Sequence, residues 1–539
     1  MDVASFQALE PASSPTAKSP LPRFLCLLVA LALALGLFLR FRGLGYPPYD
    51  SHDFRQCQTL STIEAFYANG IDFLHPRTLY TGYPGTFVME VPLFQAIAAS
   101  LYHLFGPHWE VVRCLNILFG AASTLLLFLI TTRFLTRTTA ILAALIYWLA
   151  PLNILYQRST LIDPMAVFCA LLSFYSLSLL LGSGDNTSDA SCQRRWISFS
   201  AFAIAAFLTA LIKPLYLWPS VLLVAHAFST RRPKLDRCIL QIAVVFALAG
   251  ASFIAWNHYA TRVNGASVIT RGNSPTALLG FSTLLNPKFY YFMLISRPKV
   301  WLGPIPALLY LFGLWAWLAE RRGRNQSSDI GLPTKCSERL LPILLAPPTY
   351  LVAFANINYP HDYYQLIISP FLAVVSAMGL RWLAARFALR IPNPAKLYPA
   401  LALCAGNVLL VAAFLTYAMW FKMPSVNYRL TDFENLCAGK MQPWAPAMLF
   451  ASPDASGLPT NSYIPGFLYA ARLWGYSWVV QDAAAAKAPF EEISPSFSRL
   501  DYLVFYGTGR PDWLPSARFR LAIQDDPHGL LVFQRIASP

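Results

Sequence analysis

The sequence predicts an all-α polytopic membrane protein with a small C-terminal α/β domain, and three observations predict it. Of 539 residues, 56% are hydrophobic and only 12% charged, against about 25% charged in an ordinary soluble domain. Apolar stretches of roughly 16–23 residues recur along the chain, each about long enough to cross a ~30 Å hydrocarbon core as a helix. Beyond about residue 420 the chain regains ordinary polarity, with short strand-like runs between turn-forming Pro, Gly and Asp clusters.

Taken in order, the Pro/Ser-rich residues 1–23 read as a disordered cytoplasmic tail. The first apolar run follows Arg23 and is trailed by Arg40 and Arg42, with no small-residue cleavage site, so it reads as a retained anchor. Hydropathy places about eleven spans, near 24–42, 111–131, 139–156, 164–182, 197–212, 214–228, 238–257, 300–319, 340–355, 365–380 and 397–419. The net charge of +15 does not signal nucleic acid, because the basic residues sit in short clusters between spans, such as Arg194/Arg195, Arg231/Arg232/Lys234 and Arg321/Arg322/Arg324. These clusters fall on alternate loops. The excess of Lys and Arg on cytoplasmic loops then puts the N-terminus inside and the C-terminal segment outside.

On that reading the outer loops lie near 43–110, 157–163, 258–299 and 356–364. The apolar run Val91–Phe105 is expected to be an interfacial helix, since counting it as a span would invert every later loop. The chain thus divides into the 1–23 tail, a transmembrane domain over 24–420 with the first external loop at 43–110, and an extracytoplasmic α/β domain over 421–539. In that last domain AMLFAS (447–452), DYLVFY (501–506) and GLLVFQ (529–534) read as strands. Nine cysteines show no metal-ligand spacing, and Cys57 and Cys437 are the one pair placed outside.

Chemistry-bearing residues collect on the outer loops. The first loop brings Asp50, His52, Asp53 and Arg55 within six residues, where a carboxylate can serve as general base and a guanidinium can grip a phosphate. Charges pairing among themselves in a solvated loop would read the same. The second loop offers Arg158 and Asp163; Asp before Pro164 also fits a helix cap. His361, Tyr363 and Tyr364 occupy the fourth loop, where an interface aromatic belt is the plain alternative. Lys213 stands at an outer span boundary, suited to an anionic head group or to simple snorkelling. Lys288, Arg297 and Lys299 in the third loop can bind phosphate or anionic lipid. Arg77 and the run Tyr80–Thr86 read as a supporting turn, and Glu90 can face either the cavity or the lipid boundary. No Walker loop, dinucleotide fingerprint, nucleophile elbow or zinc motif is present.

These loops resemble those of the integral-membrane GT-C glycosyltransferases, in particular the protein O-mannosyltransferase (family 39) and aminoarabinose transferase group. HDFRQ (52–56) is similar to that group's H-x-W-R-Q variant of the first-loop acidic motif, and Tyr80 through Pro92 with the helix after it to its surface-helix segment. Arg158 with Asp163 resembles the second-loop R-x-x-x-D element, and HDYY (361–364) with Pro370 the late H-x-Y-Y…P loop.

The resemblance spans about residues 20–420 and implies a GT-C fold, a polyprenyl-phosphate sugar donor and a glycan, lipid or protein acceptor, in a bacterial inner membrane. It implies Asp53 as base, with Asp50 the competing choice, Asp163 as second carboxylate, and Arg55, Arg158 and His361 around the phosphate. His52, Lys213, Tyr363 and Tyr364 complete the expected substrate-binding set. The group contains members with and without a divalent metal, and these residues leave both open. The competing class is a lipid or solute transporter. Its usual pseudo-symmetric halves and broken midplane helices are not evident in the sequence.

Overall fold

The computed structural model describes residues 23–50, 52–79, 82, 85–182, 189–231, 237–264, 281–321, 339–388, 406, 428–460, 464–497 and 499–536. Apart from Gly406, the expected span at 397–419 lies outside the described residues, as do the boundary near 420 and almost all of the N-terminal tail.

Apart from its connecting loops and one isolated bridge, the described membrane part is helical. The longer helices are α1 (Arg23–Phe41), α2 (Asp53–Asn69), α3 (Leu93–Phe105), α4 (Trp109–Phe134), α5 (Arg137–Leu149), α6 (Pro151–Gln157), α7 (Asp163–Gly182) and α8 (Asp189–Ile212). They continue with α9 (Trp218–Arg231), α10 (Arg237–Asn264), α11 (Pro304–Arg321), α12 (Leu341–Ala353) and α13 (Ser369–Ala388). Each of the ten expected spans within the described residues meets at least one of these helices. Among the described residues, five helical stretches are long and apolar enough to cross a membrane, or up to seven if each bent pair is one span. One such pair is α5 and α6, broken by 59° at Ala150 and Pro151, where the proline lacks the N–H that would continue the ladder.

α3 has 13 residues, about 20 Å at 1.5 Å per residue, and packs on α2 and α4. α2 and α3 both stop at a glycine with φ near +87°, Gly70 and Gly106, whose N–H bonds back to a carbonyl of the last turn.

The tightest helix crossing joins α11 and α13. A Cβ on Gly313 would stand 2.0 Å from the Val375 carbonyl oxygen, and one on Gly379 would stand 2.0 Å from that of Leu309. Two facing glycines therefore let the backbones touch, the device by which small residues drive helix association in lipid.

The segment after 428 forms a short helix α14 (Tyr428–Cys437) and a five-stranded sheet of order β2-β1-β3-β5-β4. Its strands are β1 (Ala445–Ala451), β2 (Leu473–Val479), β3 (Tyr502–Tyr506), β4 (Phe519–Asp525) and β5 (Leu530–Arg535). β1 runs parallel to β2 and β3, while β5 is antiparallel to β3 and β4. The three expected strands match β1, β3 and β5. The sheet docks on the first loop: Gly475 N–H donates to Leu79 O at 2.7 Å, and the Tyr469 hydroxyl to Glu64 Oε1 at 2.7 Å. Cys57 and Cys437, the pair placed outside, are both buried free thiols.

Gly379→Ala is expected to destabilise the bundle by about 1–3 kcal/mol through overpacking at a backbone contact. Thermal unfolding of the detergent-solubilised protein measures it; an unchanged midpoint would mean the helices do not touch there.

Candidate active site

The ends of the helices that carry the first, second and fourth loops meet at one end of the bundle. Between them lies a cavity of about 410 Å³, walled by His52, Arg55, Glu90, Lys213, His361, Tyr363 and Tyr364 among the polar side chains. Its apolar wall comes from Met89, Leu211, Phe253, Trp256 and neighbours. A cavity of this size and mixed lining is the usual form of a small-ligand site.

Arg55, Lys213 and Arg297 around the cavity are each tied to a carboxylate remote in sequence. Arg55 NH2 lies 2.8 Å from Glu90 Oε1, and its NH1 donates to Gln58 Oε1 at 2.6 Å. Lys213 Nζ lies 2.8 Å from Asp163 Oδ1 and also stands over the rings of Tyr364 (3.9 Å) and Tyr363 (4.6 Å). Arg297 NH1 lies 2.8 Å from Asp362 Oδ2, while Asp362 Oδ1 faces His52 Nε2 at 2.7 Å and accepts from the Tyr156 hydroxyl.

Burial works against the charged form of Glu90, but the Arg55 charge and hydrogen bond outweigh it and hold the carboxyl below its usual range. Partial desolvation, helped by neighbouring His52 and Lys213, pushes His361 down to about 4. His361 is therefore neutral at pH 7 and meets an anion as a hydrogen-bond donor, not as a cation.

The aspartates expected to do chemistry occupy other places. Asp50 is buried behind the cavity, where Oδ2 lies 3.4 Å from Arg158 NH2 and Oδ1 accepts from the Gln56 side chain. Gln56 Oε1 in turn accepts from the Thr160 N–H at 3.2 Å, so this network staples the first loop to the second. Asp163 is fully buried. Its Oδ1 takes Lys213 and the Tyr216 hydroxyl (2.9 Å), and Oδ2 has no hydrogen-bond partner among the described residues, so the carboxylate orients the lysine and does not cap its own helix. Asp53 opens α2, with Oδ1 accepting from the Phe54 N–H at 2.7 Å, and Gly466 of the C-terminal segment lies near its Oδ2. Asp50, Asp53, Asp163 and Arg158 do not line the cavity; His52, Arg55, Lys213, His361, Tyr363 and Tyr364 do.

Two further arginines brace the mouth. Buried Arg40 donates to Gln157 Oε1 and to the carbonyls of Gly36 and Trp148. Buried Arg113 holds the carbonyls of Gly43, Leu44 and Tyr46, fixing the chain as it enters the first loop. Of the third-loop cations, Arg297 reaches the site through Asp362, whereas Lys288 and Lys299 are exposed and outside the cavity. Glu90 faces the cavity. Arg77 bridges to Thr86 in an isolated β-bridge, while Tyr80, Thr81, Tyr83 and Pro84 of the same turn lie outside the described residues.

Sequence reasoning assigned no role to Asp362, Tyr156 or Trp256. Asp362 stands inside the HDYY motif and was legible as a carboxylate there; Tyr156 and Trp256 are aromatics in apolar runs and carry no local signal.

Residues 61–270 match the family model described as dolichyl-phosphate-mannose-protein mannosyltransferase. No curated protein matches the sequence. Among solved structures, ArnT from Cupriavidus metallidurans in the apo state superposes with a TM-score of 0.60 at 14% identity, over 95% of this chain and 98% of that one. Its fold is that of the GT-C membrane glycosyltransferases. The archaeal oligosaccharyltransferase AglB from Archaeoglobus fulgidus agrees at a TM-score of 0.54 and 10% identity, covering 90% of this chain and 69% of that chain. The mycobacterial arabinofuranosyltransferase AftD gives 0.51 at 15%, covering 96% and 42%. The GT-C resemblance seen in the loop motifs thus extends to the fold of nearly the whole chain, an integral membrane protein.

Asp50→Ala removes the carboxylate that compensates buried Arg158 and is expected to cost about 3–5 kcal/mol. Replacing both partners, Asp50→Leu with Arg158→Met, should recover most of that loss in thermal unfolding; a single variant as stable as the parent would show that the pair does not brace the loops.

Proposed function

We propose that this GT-C protein transfers a sugar from a polyprenyl-phosphate donor to a glycan, lipid or protein acceptor on the external face of a bacterial inner membrane. The observation that carries the reading is the pairing of Arg55 and Lys213 with an apolar wall in one cavity at the mouth of the bundle. Two solved relatives of the same fold support it, ArnT bound to undecaprenyl phosphate and AglB in complex with an inhibitory peptide and a dolichol-phosphate.

A donor of this kind is insoluble in water at one end and anionic at the other. Phe253 and Trp256 on α10, a helix with many exposed apolar residues such as Leu248 and Ile254, offer the side from which a prenyl chain can approach. Arg55 and Lys213 meet the phosphate, and the neutral His361 ring and the Tyr363 and Tyr364 hydroxyls add donors. Fixed cations in a cavity with an apolar wall stabilise the charge that grows on a leaving phosphate more than they stabilise the bound ester, and that difference is catalysis.

In this reading Asp163 sets the position of Lys213, and Asp50 with Arg158 sets the loops. Among the described residues no three His, Cys, Asp or Glu side chains converge as metal ligands, so no step is assigned to a divalent ion. In the same reading the C-terminal sheet, docked on the first loop, is an extracytoplasmic α/β domain and the N-terminus is cytoplasmic, a topology supported by the excess of Lys and Arg on alternate loops.

Lys213→Gln is expected to lower the turnover of a radiolabelled polyprenyl-phosphate sugar about 10²–10³-fold, read as label passing to lipid, glycan or protein in membranes. Label that crosses the bilayer with the donor chemically unchanged would replace transfer by transport.

A further inference from the structure

Resting on the glycosyl-transfer reading, we propose that the general base toward the acceptor is His52, oriented by Asp362, and not one of the aspartates of the first two outer loops. His52 stands in the cavity wall beside Arg55. Its ring is fixed on two sides: Nε2 meets Asp362 Oδ1 at 2.7 Å, and the ring packs edge-on against Tyr363 with centroids 4.9 Å apart.

Asp362 is itself immobilised, since Oδ2 meets Arg297 and Oδ1 also takes the Tyr156 hydroxyl. A carboxylate so placed selects the tautomer with the proton on Nε2 and stabilises the imidazolium that forms when the ring takes a second proton. That leaves Nδ1 as a lone-pair acceptor with no hydrogen-bond partner among the described residues.

The other candidates lack one of these properties. Asp50 and Asp163 are buried in ion pairs outside the lining, and Asp53 accepts from a backbone N–H and is likewise outside it. Glu90 lines the cavity but is paired with Arg55. Among the described residues no carboxylate is hydrogen-bonded to His361. The backbone adds an independent sign. His52 sits at φ 59°, ψ 42°, the left-handed region, immediately before α2; non-glycine residues held in that region are concentrated at functional sites.

In the step itself the acceptor oxygen forms a bond to the anomeric carbon while its O–H bond breaks and the proton passes to His52 Nδ1. The bond from that carbon to the phosphate oxygen breaks, and the electron pair leaves on the polyprenyl phosphate beside Arg55 and Lys213. The proton on the imidazolium is then released to solvent.

His52→Asn tests the assignment, because Asn tolerates the left-handed conformation and can still donate to Asp362, but has no basic nitrogen. With the full-length protein and the donor it turns over, kcat is expected to fall about 10²–10⁴-fold while binding of polyprenyl phosphate alone is kept. Asp362→Asn should lower kcat and move the acid limb of the pH–rate profile to lower pH, since the imidazolium loses its counter-charge. The groups facing His52 are Asp362, Tyr363 and His361 of the late loop and Tyr156, with Arg297 behind Asp362. Transfer by His52→Asn within tenfold of the parent, an equal loss of lipid phosphate binding, or an unmoved acid limb would each overturn the proposal. A parent protein that binds the lipid phosphate yet transfers no sugar would instead remove the glycosyl-transfer reading on which it rests.

Discussion

A charge taken out of water must meet its opposite, and at the open end of this bundle the opposite lies 35 or more residues away along the chain. Arg158 meets Asp50, Lys213 meets Asp163, Arg55 meets Glu90 and Arg297 meets Asp362. Such pairs add little net stability, because desolvation offsets much of the Coulomb gain, but separating one is costly. Their effect is positional. Five segments, the four outer loops and the Lys213 boundary, are brought to one place, and a cavity with two cations in its wall is what remains between them.

The same pairs set how the site answers a ligand. Lys213 and Arg55 are ordered before any substrate arrives, so little reorganisation is needed when a phosphate displaces or joins their carboxylates, and preorganised charge acts most strongly where water is excluded. The division of labour among the acids follows from burial. Asp50 and Asp163 are walled off and act through the cation each one holds, whereas Asp362 acts through a histidine that reaches the open space. Resemblance to the first-loop acidic motif made Asp53 the base; the orientation of its side chain toward its own helix N–H and the C-terminal segment favours His52 for that role.

Much of the fold was legible because hydropathy records the solvent directly. Apolar runs of span length have no other use in a chain this poor in charge, and the described helices follow them. The α5–α6 break was less visible, since hydropathy ran through Ala150–Pro151 while the missing proline N–H bent the chain. In the sheet, β1, β3 and β5 are continuous apolar runs and were read. β4 alternates between buried and exposed positions at an edge, and β2 carries a glycine amid aromatics, so neither stood out. Within the site, the residue types and their loops were readable, but which carboxylate faces which cation was not: Lys213 and Asp163 are 50 residues apart, and Asp362 pairs with His52 across 310. Separations of that kind are fixed by helix packing, including the Gly313/Gly379 contact, and leave no local trace.

The central claim is that a lipid phosphate sits between Arg55 and Lys213 with its chain leaving past α10. Photo-crosslinking of the full-length protein with a diazirine-bearing polyprenyl phosphate, followed by peptide mapping, tests it most directly. The account predicts adducts in Leu211–Leu215 and Phe253–Asn257, competed by unlabelled polyprenyl phosphate. Competable adducts confined to other helices, with these two segments unlabelled, would contradict it.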